Sequence, residues 1–175
     1  MRGFAIALAA TAIALAAPAR IAREQLLAIE TLFDQRIARA NLDDPYDLLG
    51  ATRAIYLEGY GVVVSNEVNL VVGPAITPFR PKLNTDEVEK LRQRKLARLP
   101  QLRQLMRGMM ISCATQLRAL PPDEQIVLGT HLFSFSWENR KDLPGQLVLK
   151  ASRQALLDIE AGKAQAAAVI EERTF

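Results

Sequence analysis

Few side chains in this sequence are placed to do chemistry. Cys113 and His131 are the single cysteine and the single histidine among 175 residues. That excludes a zinc ribbon, a Cys-x-x-Cys redox pair, a histidine-rich metal site and an internal disulfide. A Cys113/His131 nucleophile and base pair would need an exposed thiol in electropositive surroundings. Cys113 falls instead on an apolar helical stripe, and His131 falls on the same side of a strand as Phe133, Phe135 and Trp137, which reads as a core imidazole. Ser65, Ser112, Ser134 and Ser136 lie outside any Gly-x-Ser-x-Gly elbow, and no Ser-x-x-Lys occurs. Asp43, Asp44 and Asp47 sit beside Asn41 and Pro45 and read as a capping turn, since a calcium loop requires more oxygen ligands and a correctly spaced glycine. There is no Gly-x-x-x-x-Gly-Lys-[Ser/Thr] phosphate loop, and Gly59-Tyr60-Gly61 lacks the third glycine of a dinucleotide fingerprint. No metal site and no cofactor is therefore expected.

Two groups of residues remain as candidate binding sites. On the even-numbered face of the first strand, Tyr56, Glu58 and Tyr60 interrupt an otherwise apolar row that includes Ala54, Val62, Val64 and Val68. A carboxylate buried there costs several kcal/mol unless it is paired or protonated, so Glu58 either finds an arginine and the two tyrosine hydroxyls or is turned outward by a bulge at Gly59. Polar groups among apolar ones are also how a ligand is oriented, which makes Tyr56, Glu58 and Tyr60 a candidate wall of a ligand site. On the opposite face Gly59 and Gly61 leave a shallow groove between Leu57 and Val63 for another backbone to approach, which a helix of the same chain is expected to fill. The second group is the basic stretch from Lys90 to Pro122, which holds Lys90, Arg92, Arg94, Lys95, Arg98, Arg103, Arg107 and Arg118 with no acidic residue. Arg103, Arg107 and Arg118 are candidate contacts to an anionic envelope surface or an acidic protein partner; a solvated helix face that neutralises acids elsewhere, such as Asp158, Glu160, Glu171 and Glu172, is the structural alternative.

The elements that must position these groups follow from periodicity. Leu26, Ile29, Phe33, Ile37 and Ala40 define an amphipathic helix over residues 20–40. The Val, Ile, Leu and Tyr alternation from Arg53 to Val72 predicts one long strand, bent or bulged at the two glycines. A loop punctuated by Pro74, Pro78 and Pro81 precedes Asn84 and Glu87, a capping-box pattern that opens a long helix. Pro100 should kink or split that helix. Beyond it Leu99, Leu102, Met106, Met109, Cys113, Leu117 and Leu120 form a buried stripe. Residues 125–138 predict a second strand with its bulk at odd positions, and residues 146–151 a third, paired with the second as an antiparallel hairpin. Ser152 caps a helix that stops at Gly162, and an alanine-rich helix runs on to Glu172. The expected fold class is α+β: a small, mostly antiparallel sheet of about three strands against a long helix and N- and C-terminal helices.

The chain begins with Met1-Arg2-Gly3 and the uncharged apolar run Phe4–Ala17, followed by Ala17-Pro18-Ala19. The run is short for a membrane span and has the layout of an export signal, with cleavage after Ala19. Residues 1–19 are thus expected to be a signal peptide and 20–175 a single domain with no transmembrane helix, periplasmic or secreted. Export also demotes nucleic acid as a partner for the basic stretch. The signal, Tyr56-Leu57-Glu58-Gly59-Tyr60-Gly61-Val62, the long basic helix and the step Leu147-Val148-Leu149-Lys150-Ala151-Ser152 together resemble a family of exported bacterial proteins of unknown function. The resemblance implies a bacterial envelope setting and this layout, and it brings no catalytic motif. The function expected is a non-enzymatic binding or scaffolding role, with an extracytoplasmic hydrolase as the alternative.

Overall fold

The computed structural model describes residues 21–73 and 83–175; the apolar N-terminal run with the expected cleavage position after Ala19, and the proline-punctuated stretch 74–82, lie outside the described residues. The elements in chain order are α1 (Arg23–Arg39), β1 (Asp47–Leu48), β2 (Arg53–Leu57), β3 (Gly61–Asn69), α2 (Thr85–Gln116), β4 (Gln125–Leu132), β5 (Gln146–Ser152), α3 (Arg153–Glu160), α4 (Ala166–Val169) and β6 (Glu171–Thr174). The fold is α+β, with a six-stranded mixed sheet in place of the expected three strands. Its order is β1-β3-β4-β5-β6, and β2 pairs with β3 on the same side as β1. Every pairing is antiparallel except β3 with β4, which is parallel. A parallel pair needs a crossover connection, and α2 supplies it.

The long strand expected over Arg53–Val72 is a hairpin. Glu58-Gly59-Tyr60 forms its turn, with the Tyr60 amide donating to the Leu57 carbonyl at 3.0 Å. Gly59 takes φ +76° and Gly61 φ +134°, conformations open to glycine at little cost. Because Ala54 pairs with Val64 and Tyr56 with Val62, even-numbered residues keep one face through the turn. The even-face expectation therefore survives although the single strand does not. A Cβ at Gly61 would lie 1.9 Å from the Gln125 carbonyl oxygen, so the backbone that approaches Gly61 is that of β4 and not the expected helix, while Gly59 faces open space.

In β4 the expected phase is inverted. Ile126, Leu128, Thr130 and Leu132 point into the core, His131 is exposed, and the strand ends before Phe133. The aromatic residues that suggested an odd-numbered core face belong to the loop beyond the strand, where Phe133, Phe135 and Trp137 pack on one another edge-on and stacked. The antiparallel pairing of β4 with β5 is as expected.

The core lies between one face of the sheet and the helices. The α1 stripe contributes Leu26, Ile29, Phe33 and Ile37, and α2 contributes Leu99, Leu102, Met106, Met109 and Cys113 against Val62, Val64, Ile126, Leu128, Leu147 and Leu149. α2 opens on the capping box, the Glu87 amide donating to Asn84 Oδ1 at 2.8 Å, and it runs unbroken through Pro100. Burial of the flanking Leu99 and Leu102 holds the helix together across the one missing amide donor. α3 starts on Ser152, whose hydroxyl accepts from the Ala155 amide, and stops at Gly162 with φ +71°. The alanine-rich segment is the clearest departure: it is helical only over Ala166–Val169 and then becomes β6. Helix propensity in so short a piece is weak, and pairing with β5 together with ion pairs to α2 outweighs it.

Candidate functional site

The hairpin residues do not converge on a ligand site. Glu58 and Tyr60 are exposed on the turn, whereas the Tyr56 hydroxyl donates to Glu124 Oε1 at 3.2 Å. Burial and the nearby Glu124 carboxylate push the Tyr56 phenol above its ordinary value. Glu124 itself is buried in the turn before β4, and its backbone carbonyl accepts from the Arg153 amide at the start of α3. Tyr56 and Glu124 thus pin the hairpin to the α3 end of the sheet.

Cys113 and His131 cannot act together. The thiol lies wholly buried in the α2 core, where desolvation pushes it up to about 12. The imidazole stands on the opposite, open face of the sheet, its Nε2 3.4 Å from the side-chain Nε2 of Gln146.

The basic stretch of α2 is largely engaged by acids from other elements. Arg103 Nε donates to Glu172 Oε1 at 2.6 Å and Arg107 to Glu172 Oε2 at 2.9 Å, so a single β6 carboxylate holds two of the three arginines singled out from sequence. Arg118 is exposed in the turn after α2. Arg94 and Arg98 pair with Asp44, and the Arg98 guanidinium also lies over the Tyr46 ring at 4.2 Å. Arg92 binds Glu89 and reaches Asp142; Arg92, Gln93 and Asn139 together hold the Glu89 carboxyl down at about 2. Lys95 is the deepest: its ammonium is buried with Glu138 and also donates to the Phe133 carbonyl. Glu138 in turn accepts from the Phe135 amide, so this ion pair fixes the aromatic loop onto α2.

Beside these contacts the structure forms a groove of about 910 Å³ that sequence reasoning did not anticipate. One wall is α2 at Leu96, Leu99, Pro100 and Arg103; the other is the loop from Arg140 to Gly145; the end of β6, with Thr174 and Phe175, forms the floor. The loop is anchored by Arg92 to the Lys141 carbonyl and by the Gly145 amide to the Phe175 carbonyl. Arg140 lies over Gly145, its guanidinium 3.2 Å from where a side chain on that glycine would begin, and it makes no ion pair among the described residues. The only sequence signal was indirect. Pro100 leaves a notch on a helix, and Leu143-Pro144-Gly145 marks a turn, but nothing local shows that the two face each other. Comparison with known proteins finds no matching family model, no matching curated protein and no matching solved structure.

Proposed function

We propose that this chain is an exported, non-enzymatic protein of the bacterial periplasm or cell envelope that binds another macromolecule, and that the α2–β6 groove is where it does so. The observation that carries the binding reading is the groove itself: apolar surface at Leu96, Leu99, Pro100 and Leu143, with Arg103 and Asp142 already paired to Glu172 and Arg92, and with Arg140, which makes no ion pair among the described residues. That is the composition of a recognition surface, in which apolar contact supplies affinity and a few polar groups supply orientation. An acidic partner is favoured over a general anionic surface. Glu172 already occupies Arg103 and Arg107, and Arg118 stands exposed outside the groove, so among the described groove-lining residues Arg140 is a cation with no ion pair, open to a partner. Among the described residues no helix is long and apolar enough to cross a membrane. The export reading rests on the apolar N-terminal run and Ala17-Pro18-Ala19.

Fractionation of the full-length chain with intact-mass measurement tests the first half, and the expected species is envelope-located and begins at Arg20. A cytosolic species retaining Met1 would defeat it. For the second half, a photoreactive amino acid at Leu143 should crosslink to a partner in cells, whereas the same group at Glu160 on the far side of α3 should not. Equal yields at the two positions would place binding elsewhere.

A further inference from the structure

The two edges of the sheet are finished differently. At the β2 edge, α1 supplies the groups that a neighbouring strand would otherwise supply. Glu30 Oε1 accepts from the Ala54 amide at 2.9 Å, Arg23 donates to the Ala54 carbonyl at 3.2 Å, and Asp34 accepts from the Thr52 amide at 2.9 Å. Unpaired strand edges invite other chains, and this one is closed by side chains.

At the other end of the sheet order, no hydrogen bond among the described residues reaches the backbone of Glu172 or Thr174 in β6. Its polarity follows from the register. Gln146 and Phe175 exchange both backbone hydrogen bonds at 3.1 Å, so they form a hydrogen-bonded pair. In an antiparallel ladder such pairs alternate, which assigns the next two to Val148 with Arg173 and Lys150 with Glu171. The amides and carbonyls of Glu172 and Thr174 therefore point away from β5, and Thr174 is exposed. This open edge runs into the groove between Pro100 of α2 and the Arg140–Gly145 loop.

Resting on the groove reading above, we infer that the occupant is an extended, acidic peptide segment that adds to β6 as a further strand. Alternate side chains of such a strand fall on opposite faces. One parity sinks onto Leu96, Leu99 and Pro100 and should be apolar, while an acidic residue level with the end of β6 meets Arg140. Main-chain hydrogen bonds from Glu172 and Thr174 give affinity, and the groove and Arg140 give selectivity.

The probe is a fluorescent decapeptide alternating valine with aspartate, tested against three single-residue variants of the full mature chain. Thr174→Pro removes an outward amide without touching a bond to β5, and should leave the melting temperature nearly unchanged while weakening binding at least about tenfold. N-methylation of the peptide at alternate residues should do the same from the other side. Arg140→Glu should weaken binding about fivefold or more, and a valine-lysine peptide should not bind. Pro100→Trp fills the groove and should abolish binding.

Loss of binding in Pro100→Trp with indifference to Thr174→Pro and to N-methylation would overturn strand addition and leave the groove reading intact. Undiminished binding by Pro100→Trp would overturn the groove reading as well. Absence of any binding at millimolar peptide defeats the inference. So does a concentration-dependent dimer of the parent that Thr174→Pro abolishes, because β6 would then be pairing with a second copy.

Discussion

At the scale of single residues, a few backbone and side-chain positions decide the fold while the obvious chemical candidates are inert. Gly61 is the sharpest case. Both its φ of +134° and the 1.9 Å approach of the Gln125 carbonyl to a prospective Cβ forbid a side chain. Gly61→Ala should destabilise by at least about 2 kcal/mol, readable in chemical denaturation. Gly59→Ala meets open space and should cost only the positive-φ penalty, about 1 kcal/mol. Glu58→Gln should change stability by less than about 0.5 kcal/mol, because the turn carries that carboxylate into solvent. Cys113, with its thiol pushed up to about 12 inside the α2 core, should react with a maleimide only after denaturation. Rapid labelling of the native protein would contradict that burial.

At the scale of elements, α1 does more than bury an apolar stripe. Glu30 lies on the buried side among Leu26, Ile29 and Phe33, and it is held by Arg23 at 2.8 Å and by the Ala54 amide. Burial pulls the Glu30 carboxyl upward, but the Arg23 guanidinium and the amide donor outweigh it and hold the group below its ordinary 4.5. A carboxyl depressed in the folded state contributes its full stabilisation above the ordinary range and loses it as pH falls through the folded value. The melting-temperature gap between the parent and Glu30→Gln should therefore be largest near about pH 7 and shrink below about pH 4.5. A gap independent of pH would mean that shape, and not charge, seals the edge. The apolar face of α1 was legible in the sequence from Leu26, Ile29, Phe33 and Ile37; the role of Glu30 was not, because that depends on a strand edge 24 residues away. The same contrast runs through the other elements. Capping signals at Asn84 and Ser152 and the α2 stripe were readable because their determinants are local. The phase of β4 was misread because three loop aromatics outweighed Ile126, Leu128 and Leu132, and β6 was read as helix because its determinants lie on β5 and α2.

At the scale of the whole molecule, α2 is the hub. It bridges the parallel pair β3 and β4, buries the sheet, and binds three separate elements through its basic residues: the segment before β1 through Asp44, the aromatic loop through Glu138, and β6 through Glu172. This charge distribution helps 32 residues with Pro100 inside them and so many cations remain one helix: Glu89 pairs with Arg92 on the helix itself, and the other acids that neutralise it, Asp44, Glu138 and Glu172, sit on its neighbours. The Lys95–Glu138 pair, with side chains 1% and 4% exposed, is the least forgiving of these contacts. Removing one partner strands a buried charge, so Lys95→Met should cost about 3–5 kcal/mol, while Lys95→Met with Glu138→Leu should recover most of it. The β6 contact is half-exposed and behaves differently. Arg103, Arg107 and Glu172 are 30%, 37% and 23% exposed, which lets water screen them and makes the contribution to global stability small. Their effect should be local. β6 is only four residues long and pairs with β5 alone, so Glu172→Arg, which sets three cations together, should speed hydrogen exchange at the Arg173 and Phe175 amides while leaving the β4 amides protected. Adding Arg103→Glu and Arg107→Glu restores opposite charges and should restore slow exchange. If Glu172→Arg leaves β6 as protected as the parent, pairing with β5 suffices by itself and the α2 arginines are not what holds the strand, and with it the floor of the groove, in place.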